Sequence, residues 1–200
     1  MIRLPSGLHL VLASRSPRRR DLLRSVGLDP IIRPPDVDET PRDGEDPVDY
    51  VRRLSSAKAD EVAGADELVI AADTTIDLDG TILEKPVGRD DAARMLRALS
   101  GRAHRCHTGV TVRLGGHART LVVTTTVTFV EIADKALEWY LDTGDADDKA
   151  GAYGIQGPAG AFVERVDGSV TNVVGLPLAE TVQMVRTALG AGTGRPTPLG

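Results

Sequence analysis

The segment that most constrains the fold lies near the N-terminus, where a short apolar run leads directly into a serine-rich turn and an arginine-rich helix. Residues Leu8–Ala13 predict a short buried strand. Ser16 is a favoured N-cap, Pro17 suits the first helical position, and leucines at helical spacing carry the helix to Val26. A buried strand that turns directly into a helix is typical of the start of an α/β fold.

The same turn, Ser14–Arg20, predicts a site for an anion. Backbone N–H groups and the helix dipole attract negative charge at a helix N-terminus. Two serine hydroxyls and four arginines lie within these residues, and arginine can bind phosphate oxygens through two parallel hydrogen bonds. The alternative is a capped helix whose basic first turn is simply solvated. Because basic residues oppose the dipole unless an anion is bound, we favour phosphate binding.

Helices and strands alternate along the first half of the chain, and strands then cluster in the middle, which predicts an α/β fold around a mixed sheet. Residues 1–190 are expected to form a single domain, with two lobes around a cleft as an alternative, and residues 191–200 a flexible tail. Further strands are predicted at Pro30–Arg33, Leu68–Ala72, Thr81–Leu83, Cys106–Leu114 and Arg119–Glu131, with a hairpin of Phe162–Val166 and Ser169–Val174. Further helices are predicted at Val48–Val62, Asp90–Leu99, Lys135–Asp142 and Leu178–Leu189.

Bulk properties exclude several classes of protein. The net charge of -5 gives the chain no overall attraction to nucleic acid or to an anionic membrane. No apolar run reaches the roughly 18–20 residues that span a bilayer. The single cysteine, Cys106, excludes an internal disulfide. We therefore expect a cytoplasmic protein with no nucleic-acid or membrane partner.

Asp73 and Thr74 follow the best candidate for a central strand. A carboxylate at the C-terminal end of such a strand lies where α/β sheets bind their ligands. No residue nearby in sequence neutralises Asp73, so a metal or a basic side chain should lie close in space. The alternative is an Asx-turn. Lys85 follows the predicted strand Thr81–Leu83 and is expected at the rim of the ligand site.

Two loops complete the candidate site. The acidic residues of Asp36–Thr40 offer oxygen ligands for a hard cation such as Mg²⁺, although a solvated acidic loop is the simpler interpretation. The segment Asp148–Gly157 is dense in glycine, which lets backbone approach a ligand closely, and its Gln156 can pair with a base edge. His104 and His107 are predicted to face opposite sides of a strand, which argues against a zinc site. Cys106 is interpreted as a core residue.

Taken together, these segments resemble the Maf family of nucleoside triphosphate pyrophosphatases. The resemblance extends from Leu10 to about Leu189. It rests on ordered motifs that include LASRSPRR, VDET, AADTTI, EKP, LSGRAH, DKAGAYGIQG and VVGLPL. It implies a mixed, elongated sheet flanked by helices, similar to the inosine triphosphate pyrophosphatase fold, and commonly a homodimer. It also implies hydrolysis of a nucleoside triphosphate to the monophosphate and pyrophosphate with a divalent metal, Mg²⁺, Mn²⁺ or Co²⁺.

The DKAGAYGIQG motif is similar to the corresponding motif in the branch of the family that acts on dTTP and UTP. Several positions match functional residues of the family. By that resemblance Asp73 matches the proposed proton acceptor, and Glu39 an acidic residue linked to metal binding. We expect Glu39 and Asp73 to hold the metal, and the alternative for Asp73 is to orient or deprotonate the attacking water. Lys58 and Lys85 match substrate-contacting lysines, and Arg18, Thr74 and Gln156 match the specificity residues of that branch. From the basic turn itself, Ser14, Ser16 and Arg19 are expected to bind the substrate as well. Arg15 and Arg20 are left as solvated charge, and Asp38 replaces a glutamate common in relatives, which puts its share in metal binding in doubt.

Two other functions stay open at this stage. One is a pyrophosphatase for purine or methylated-base triphosphates. The other is a nucleotide-binding regulator of cell division without catalysis. The favoured enzyme would prevent incorporation of non-standard nucleotides and influence cell division, as the resemblance implies. The presence of Glu39, Asp73, Lys58 and Lys85 argues against a protein that has lost catalysis.

Overall fold

A computed structural model describes residues 2–191. Seven strands form one sheet: β1 His9–Ala13, β2 Ile31–Ile32, β3 Glu67–Leu78, β4 Thr81–Leu83, β5 Ala103–Leu114, β6 His117–Phe129 and β7 Val163–Asp167. The helices are α1 Pro17–Ser25, α2 Pro47–Val62, α3 Arg89–Leu99, α4 Asp134–Asp142, α5 Val170–Val174 and α6 Leu178–Ala191. Apart from Ala191, which ends α6, the predicted tail at 191–200 lies outside the described residues.

The sheet is mixed, as predicted. Its order is β2-β1-β3-β5-β6-β7, and the short β4 pairs with the far end of β3. The first three strands in this order, β2, β1 and β3, run parallel, whereas β5, β6 and β7 continue the sheet with antiparallel pairing. Parallel pairing of β1 with β3 ends at Ala71, but β3 continues for seven more residues to Leu78. The predicted α/β class is therefore confirmed.

Helices cover both faces of the sheet. On one face α2 packs through Ala59 and Val62 against small and branched residues of β1 and β3. On the other face, two separate apolar clusters form. One joins β1, β3 and β5 to α1 and α6, and the other joins the far half of the sheet to α3 and α4. This arrangement leaves an open end of β1 between α1 and α2.

A band of polar side chains separates the two apolar clusters. Thr74 and Thr108 lie 2.9 Å apart through their hydroxyl oxygens, and Thr108 donates to the carbonyl of Asn172. The Asn172 side chain, fully buried, donates in turn to the carbonyl of Cys106 and to the hydroxyl of Thr125. Buried polar groups are tolerated when they are hydrogen-bonded in this way, so the band fixes α5 against the middle of the sheet.

The predicted hairpin strand at Ser169–Val174 is wrong, because these residues begin with an N-cap and form α5. The Ser169 hydroxyl accepts from the backbone N–H of Asn172, which is the usual bond at a helix start. Gly168 before it has a φ of +124°, and it redirects the chain after β7. The β7 strand then pairs with β6. Apolar residues at Val170 and Val174 fit a helix turn as well as a strand.

Two other expectations need smaller corrections. The predicted strand Leu68–Ala72 is only the first part of β3, so Asp73 lies inside a strand rather than at its end. The glycine-dense region, where neither a helix nor a strand is predicted, contains a 3₁₀ turn at Ala150–Ala152, and a second 3₁₀ turn follows at Pro158–Phe162. Within residues 2–191, no helix combines the length and apolar character needed to cross a membrane.

Candidate active site

The candidate site is a cavity of about 920 Å³ beyond the C-terminal end of β1. Its volume falls in the range of small-molecule pockets. Asp73 and Thr74 are successive residues of β3, so their side chains point to opposite faces of the sheet. The cavity therefore reaches both faces where β1 stops. All ten residues predicted for the site line it: Ser14, Ser16, Arg18, Arg19, Glu39, Lys58, Asp73, Thr74, Lys85 and Gln156.

Lys58 and two carboxylates form the floor of the cavity. The Lys58 ammonium, on the buried side of α2, donates to Oδ1 of Asp73 at 2.6 Å and lies 2.6 Å from Oε1 of Glu39. The Lys58 and Asp73 side chains are 7% and 9% exposed, whereas Glu39 is 47% exposed. The expectation that a basic side chain lies near Asp73 is therefore confirmed. The ammonium offsets a buried negative charge that would otherwise be strongly unfavourable.

Glu39 reaches the floor from a loop that α2 holds in place. The Tyr50 hydroxyl donates to the carbonyl of Glu39 at 2.9 Å, and Arg53 makes two 2.6 Å hydrogen bonds to Glu45 further along the loop. Burial alone would raise the pKa of Glu39, but the hydrogen bond from Lys58 and nearby positive charges outweigh it and the net pKa is lowered. Glu39 is thus held as a carboxylate facing the cavity.

Asp38, the neighbour of Glu39, turns back on its own loop. Its Oδ1 accepts from the backbone N–H of Thr40 at 2.9 Å. Hydrogen bonding from the Thr40 side chain, and then from this N–H, lowers the pKa of Asp38. Asp38 does not line the cavity. The doubt about a metal-binding role for this residue therefore agrees with its position.

Arg19 lies inward and binds protein groups. Its Nε donates to the carbonyl of Gly175 at 2.7 Å, and its two terminal nitrogens donate to the hydroxyls of Ser14 and Thr74, each at 3.1 Å. Burial lowers its pKa. Arg19 therefore ties the turn after β1 to β3 and to the turn before α6.

The other arginines of the turn have different surroundings. The Arg18 guanidinium lies 3.6 Å from a carboxylate oxygen of Asp148, across the cavity mouth. Arg20 pairs with its neighbour Asp21 outside the cavity, as expected for solvated charge. Arg15 is exposed but lines the cavity, so its side chain is nearer the site than the sequence interpretation assigned. Ser16 caps α1 through the N–H of Arg19, as predicted.

The glycine-rich segment forms the opposite wall. The backbone N–H of Gly157 donates to the carbonyl of Gly154 at 3.0 Å, which closes a turn with the exposed Gln156 at its corner. Lys85, also exposed, lies at the rim after β4, as predicted. The cavity thus has a basic turn on one side, a carboxylate floor and a glycine-rich turn on the other.

Comparisons with known proteins identify the family of the chain. The family model described as Maf-like protein matches residues 9–188.

The chain belongs to the Maf-like family.

Several curated relatives bear the name dTTP/UTP pyrophosphatase. The relative from Anaeromyxobacter dehalogenans is 54% identical over 90% of this chain and 93% of its own length. The relative from Myxococcus xanthus is 48% identical over 90% and 92%, and that from Dechloromonas aromatica 45% over 90% and 96%. This member of the Maf-like family is thus similar to them along almost their whole length.

Sequence reasoning missed several residues that organise the site. Tyr50, which holds the carbonyl of Glu39, and Asp145 lie outside the motifs identified in the sequence. Gly175 lies within the VVGLPL motif, but the motif does not indicate its bond to Arg19. His104, His107 and Cys106, which the sequence analysis did not assign to the site, are buried in the protein. The ring of His104 lies 2.8 Å from the Tyr153 hydroxyl, and that of His107 lies 3.1 Å from Asp77, on opposite faces as predicted. Burial raises the pKa of the Cys106 thiol to about 12, so it is a core residue.

Proposed function

We propose that this protein hydrolyses the nucleoside triphosphates dTTP and UTP to the monophosphate and pyrophosphate. The observation that carries the proposal is a single cavity with Lys58 between two carboxylates at its floor, a basic turn on one side and Gln156 on the other. Similarity to relatives named dTTP/UTP pyrophosphatase supports the choice of substrate.

The proposed reaction is based on Asp73 and Lys58 at the floor of the cavity. A water oxygen attacks the α-phosphorus, and the bond from that phosphorus to the oxygen bridging to the β-phosphate breaks. Asp73 orients the water and accepts its proton, and the pyrophosphate leaves with the bridging oxygen. Lys58 holds Asp73 in position through its 2.6 Å hydrogen bond. Positioning and charge neutralisation account for most of the catalysis in such reactions.

The carboxylates fit a hard divalent cation such as Mg²⁺, Mn²⁺ or Co²⁺. Within residues 2–190, no group of three or more His, Cys, Asp or Glu is arranged to hold a metal ion. Magnesium, however, is usually bound by one or two carboxylates together with substrate phosphates and water. Glu39 and Asp73 each contact Lys58 through one oxygen and possess a second. When bound there, the cation would neutralise charge on the phosphates and the leaving group.

The two walls would bind the two ends of the nucleotide. Arg18, the serines of the turn and Lys85 at the rim supply donors for phosphate oxygens. Gln156 offers both a donor and an acceptor, which suits the edge of a pyrimidine base. Thr74 would contribute to base choice from the floor. In this proposal Arg19 acts chiefly by holding Ser14 and Thr74 in place.

A pyrophosphate-release assay across all common deoxy- and ribonucleoside triphosphates, with and without a chelator, tests the proposal. We expect the highest kcat/KM with dTTP and UTP, and loss of turnover when the chelator removes the cation. A preference for purines would instead favour a purine triphosphate enzyme. Nucleotide binding without pyrophosphate release under any cation would favour a non-catalytic regulator.

Two further assignments are part of the same proposal. We infer a homodimer from the resemblance to the family and a cytoplasmic location from the single, buried cysteine. Light scattering at several concentrations measures the first, and fractionation of cells measures the second. A monomer at all concentrations would contradict the dimer.

A further inference from the structure

Lys149 lies beneath the glycine-rich wall with its ammonium surrounded by oxygens. Its Nζ donates to the carbonyl oxygen of Asp145 at 2.6 Å and to Oδ1 of Asp148 at 2.7 Å, and it lies 3.1 Å from Oδ1 of Asp145. The side chain is 12% exposed. An ammonium has three donor hydrogens, and these three oxygens account for them. Lys149 is therefore used to hold protein groups rather than a phosphate.

The turn Gly154–Gly157, which carries Gln156, packs at both ends against the ion pair of Lys149 and Asp145. A Cβ atom at Gly154 would lie 2.7 Å from Cε of Lys149, and one at Gly157 would lie 2.6 Å from Oδ2 of Asp145. Backbone at these two glycines is thus in direct contact with the lysine stem and the aspartate carboxylate. The position of Gln156 at the corner of the turn follows from that contact.

The same ammonium also acts on the opposite wall. Asp148, held by Lys149 at 2.7 Å, is the carboxylate that lies 3.6 Å from Arg18. On the inner side, the Tyr140 hydroxyl donates to Oδ2 of Asp145 at 3.2 Å and anchors the pair to α4. The largely enclosed ammonium of Lys149 is therefore linked through these two carboxylates to both sides of the cavity mouth.

The choice of lysine fits this role. Lysine occupies only four of the 24 basic positions in the chain, and arginine occupies the others. A compact ammonium can enter a cradle of three oxygens, whereas the planar guanidinium fork is larger and binds edge-on. The backbone of Gly154 also packs directly against the lysine stem.

We propose that Lys149 is a positioning residue for base selection, which acts through Gln156 without touching the substrate. This inference rests on the proposed function, because it assigns the control of substrate preference within that same site. The physical reason is that a hydrogen-bonding group discriminates between bases only when its donor and acceptor are held in register.

Steady-state kinetics of Lys149→Met, which retains the length of the stem but removes the charge, test the proposal. We expect KM for dTTP and UTP to rise about tenfold, kcat to change by less than about threefold, and the preference over dCTP and the purine triphosphates to fall about tenfold. Lys135→Met is the matched control, because Lys135 is an exposed lysine on α4, and its preference should equal that of the wild type.

Asp145→Asn provides a milder second variant, in which we expect a smaller loss of preference in the same direction. If Lys149→Met lowers Tm but leaves the preference unchanged, or lowers kcat alike for all nucleotides, the residue supports only the fold and the proposal is wrong. If Lys149→Met does not fold, an unchanged preference in Asp145→Asn overturns it. A wild-type protein that releases no pyrophosphate, or prefers purines, overturns the proposed function instead.

Discussion

The two walls of the cavity are built in different ways. The phosphate wall, Ser14–Arg20, which we propose binds the phosphates, is the turn between a buried strand and a helix. The Ser16 cap starts the helix, and the Arg19 side chain ties the turn to Thr74 and Gly175. The base wall, Asp145–Gly157, contains only a single short 3₁₀ turn, and an internal ion pair places its residues. Regular structure therefore contributes to one wall, whereas the other depends chiefly on side-chain contacts.

The two walls also differ in the charged groups on which they depend. The phosphate wall depends on arginine, which stays protonated throughout the accessible pH range. The base wall depends on carboxylates and is tied to β5 by the contact between Tyr153 and His104. We therefore expect acid, and small changes in packing, to affect the base wall before the phosphate wall.

The largest effect is expected from a substitution at the floor of the cavity. Asp73→Asn should lower kcat about 10³-fold for every nucleotide, because it removes the proton acceptor while both walls remain intact. Pyrophosphate release measures turnover, and circular dichroism checks the fold. Asp43→Asn, an exposed change in the acidic loop, is the control and should keep full activity. Near-normal turnover in a folded Asp73→Asn protein would show that another group accepts the proton.

Acid should weaken the base wall through His104. Burial lowers the pKa of this ring from 6.5 to about 4, so the unfolded chain takes up a proton before the folded protein does. The associated stability is complete above pH 6.5 and is lost as the pH falls from 6.5 to 4, by about 3 kcal/mol. Urea unfolding of the wild type and of His104→Gln at several pH values measures it. Parallel stability curves for the two proteins across this window would contradict the assignment.

A third prediction concerns the support of the phosphate wall. Arg19→Met should raise KM for all nucleotides by roughly 30-fold and lower Tm, because the three groups that bind its guanidinium lose their donors, at a cost of about 2 kcal/mol. Arg20→Met, which removes only an exposed pair with Asp21, serves as control. An altered preference between bases in Arg19→Met would mean that the walls do not act separately.

The smallest effect is expected in the base wall. Gly157→Ala places a methyl group against the Asp145 carboxylate, which costs about 1 kcal/mol and should reduce the preference for dTTP and UTP about fivefold. A substrate panel measures the preference. Gly116→Ala in the β5–β6 turn has open space around it and should behave as the wild type. Equal losses with every nucleotide would place Gly157 outside base selection.

The sequence predicts the phosphate wall well because its signals are local. Ser16 and Pro17 lie within one helical turn of each other, and a cap needs no distant partner. No residue close to Asp73 in sequence neutralises it, which also predicts a positive charge close to it in space. In contrast, Arg19 lies inward because it binds the carbonyl of Gly175, which is 156 residues away in sequence. Periodicity carries no information about such a contact.

The base wall and α5 were less predictable for the same reason. Glycine density at 148–157 indicates close backbone approach but does not show that Lys149 and Asp145 are the groups approached. The segment after Gly168 has apolar residues that fit either a strand or a short helix, and the buried Asn172 decides between them through its bonds to Cys106 and Thr125. Tertiary hydrogen bonds override local preference there.

The scarcity of lysine has a practical consequence for chemical labelling. Lys135 on α4 and Lys85 at the cavity rim are exposed, whereas the ammonium groups of Lys58 and Lys149 are enclosed by carboxylates. An amine-acylating reagent should therefore modify the first two lysines much faster than the others. A bound nucleotide would shield Lys85 and leave Lys135 unchanged. The ratio of these two adducts in a mass spectrum should then report occupancy of the cavity against an internal standard within the same chain.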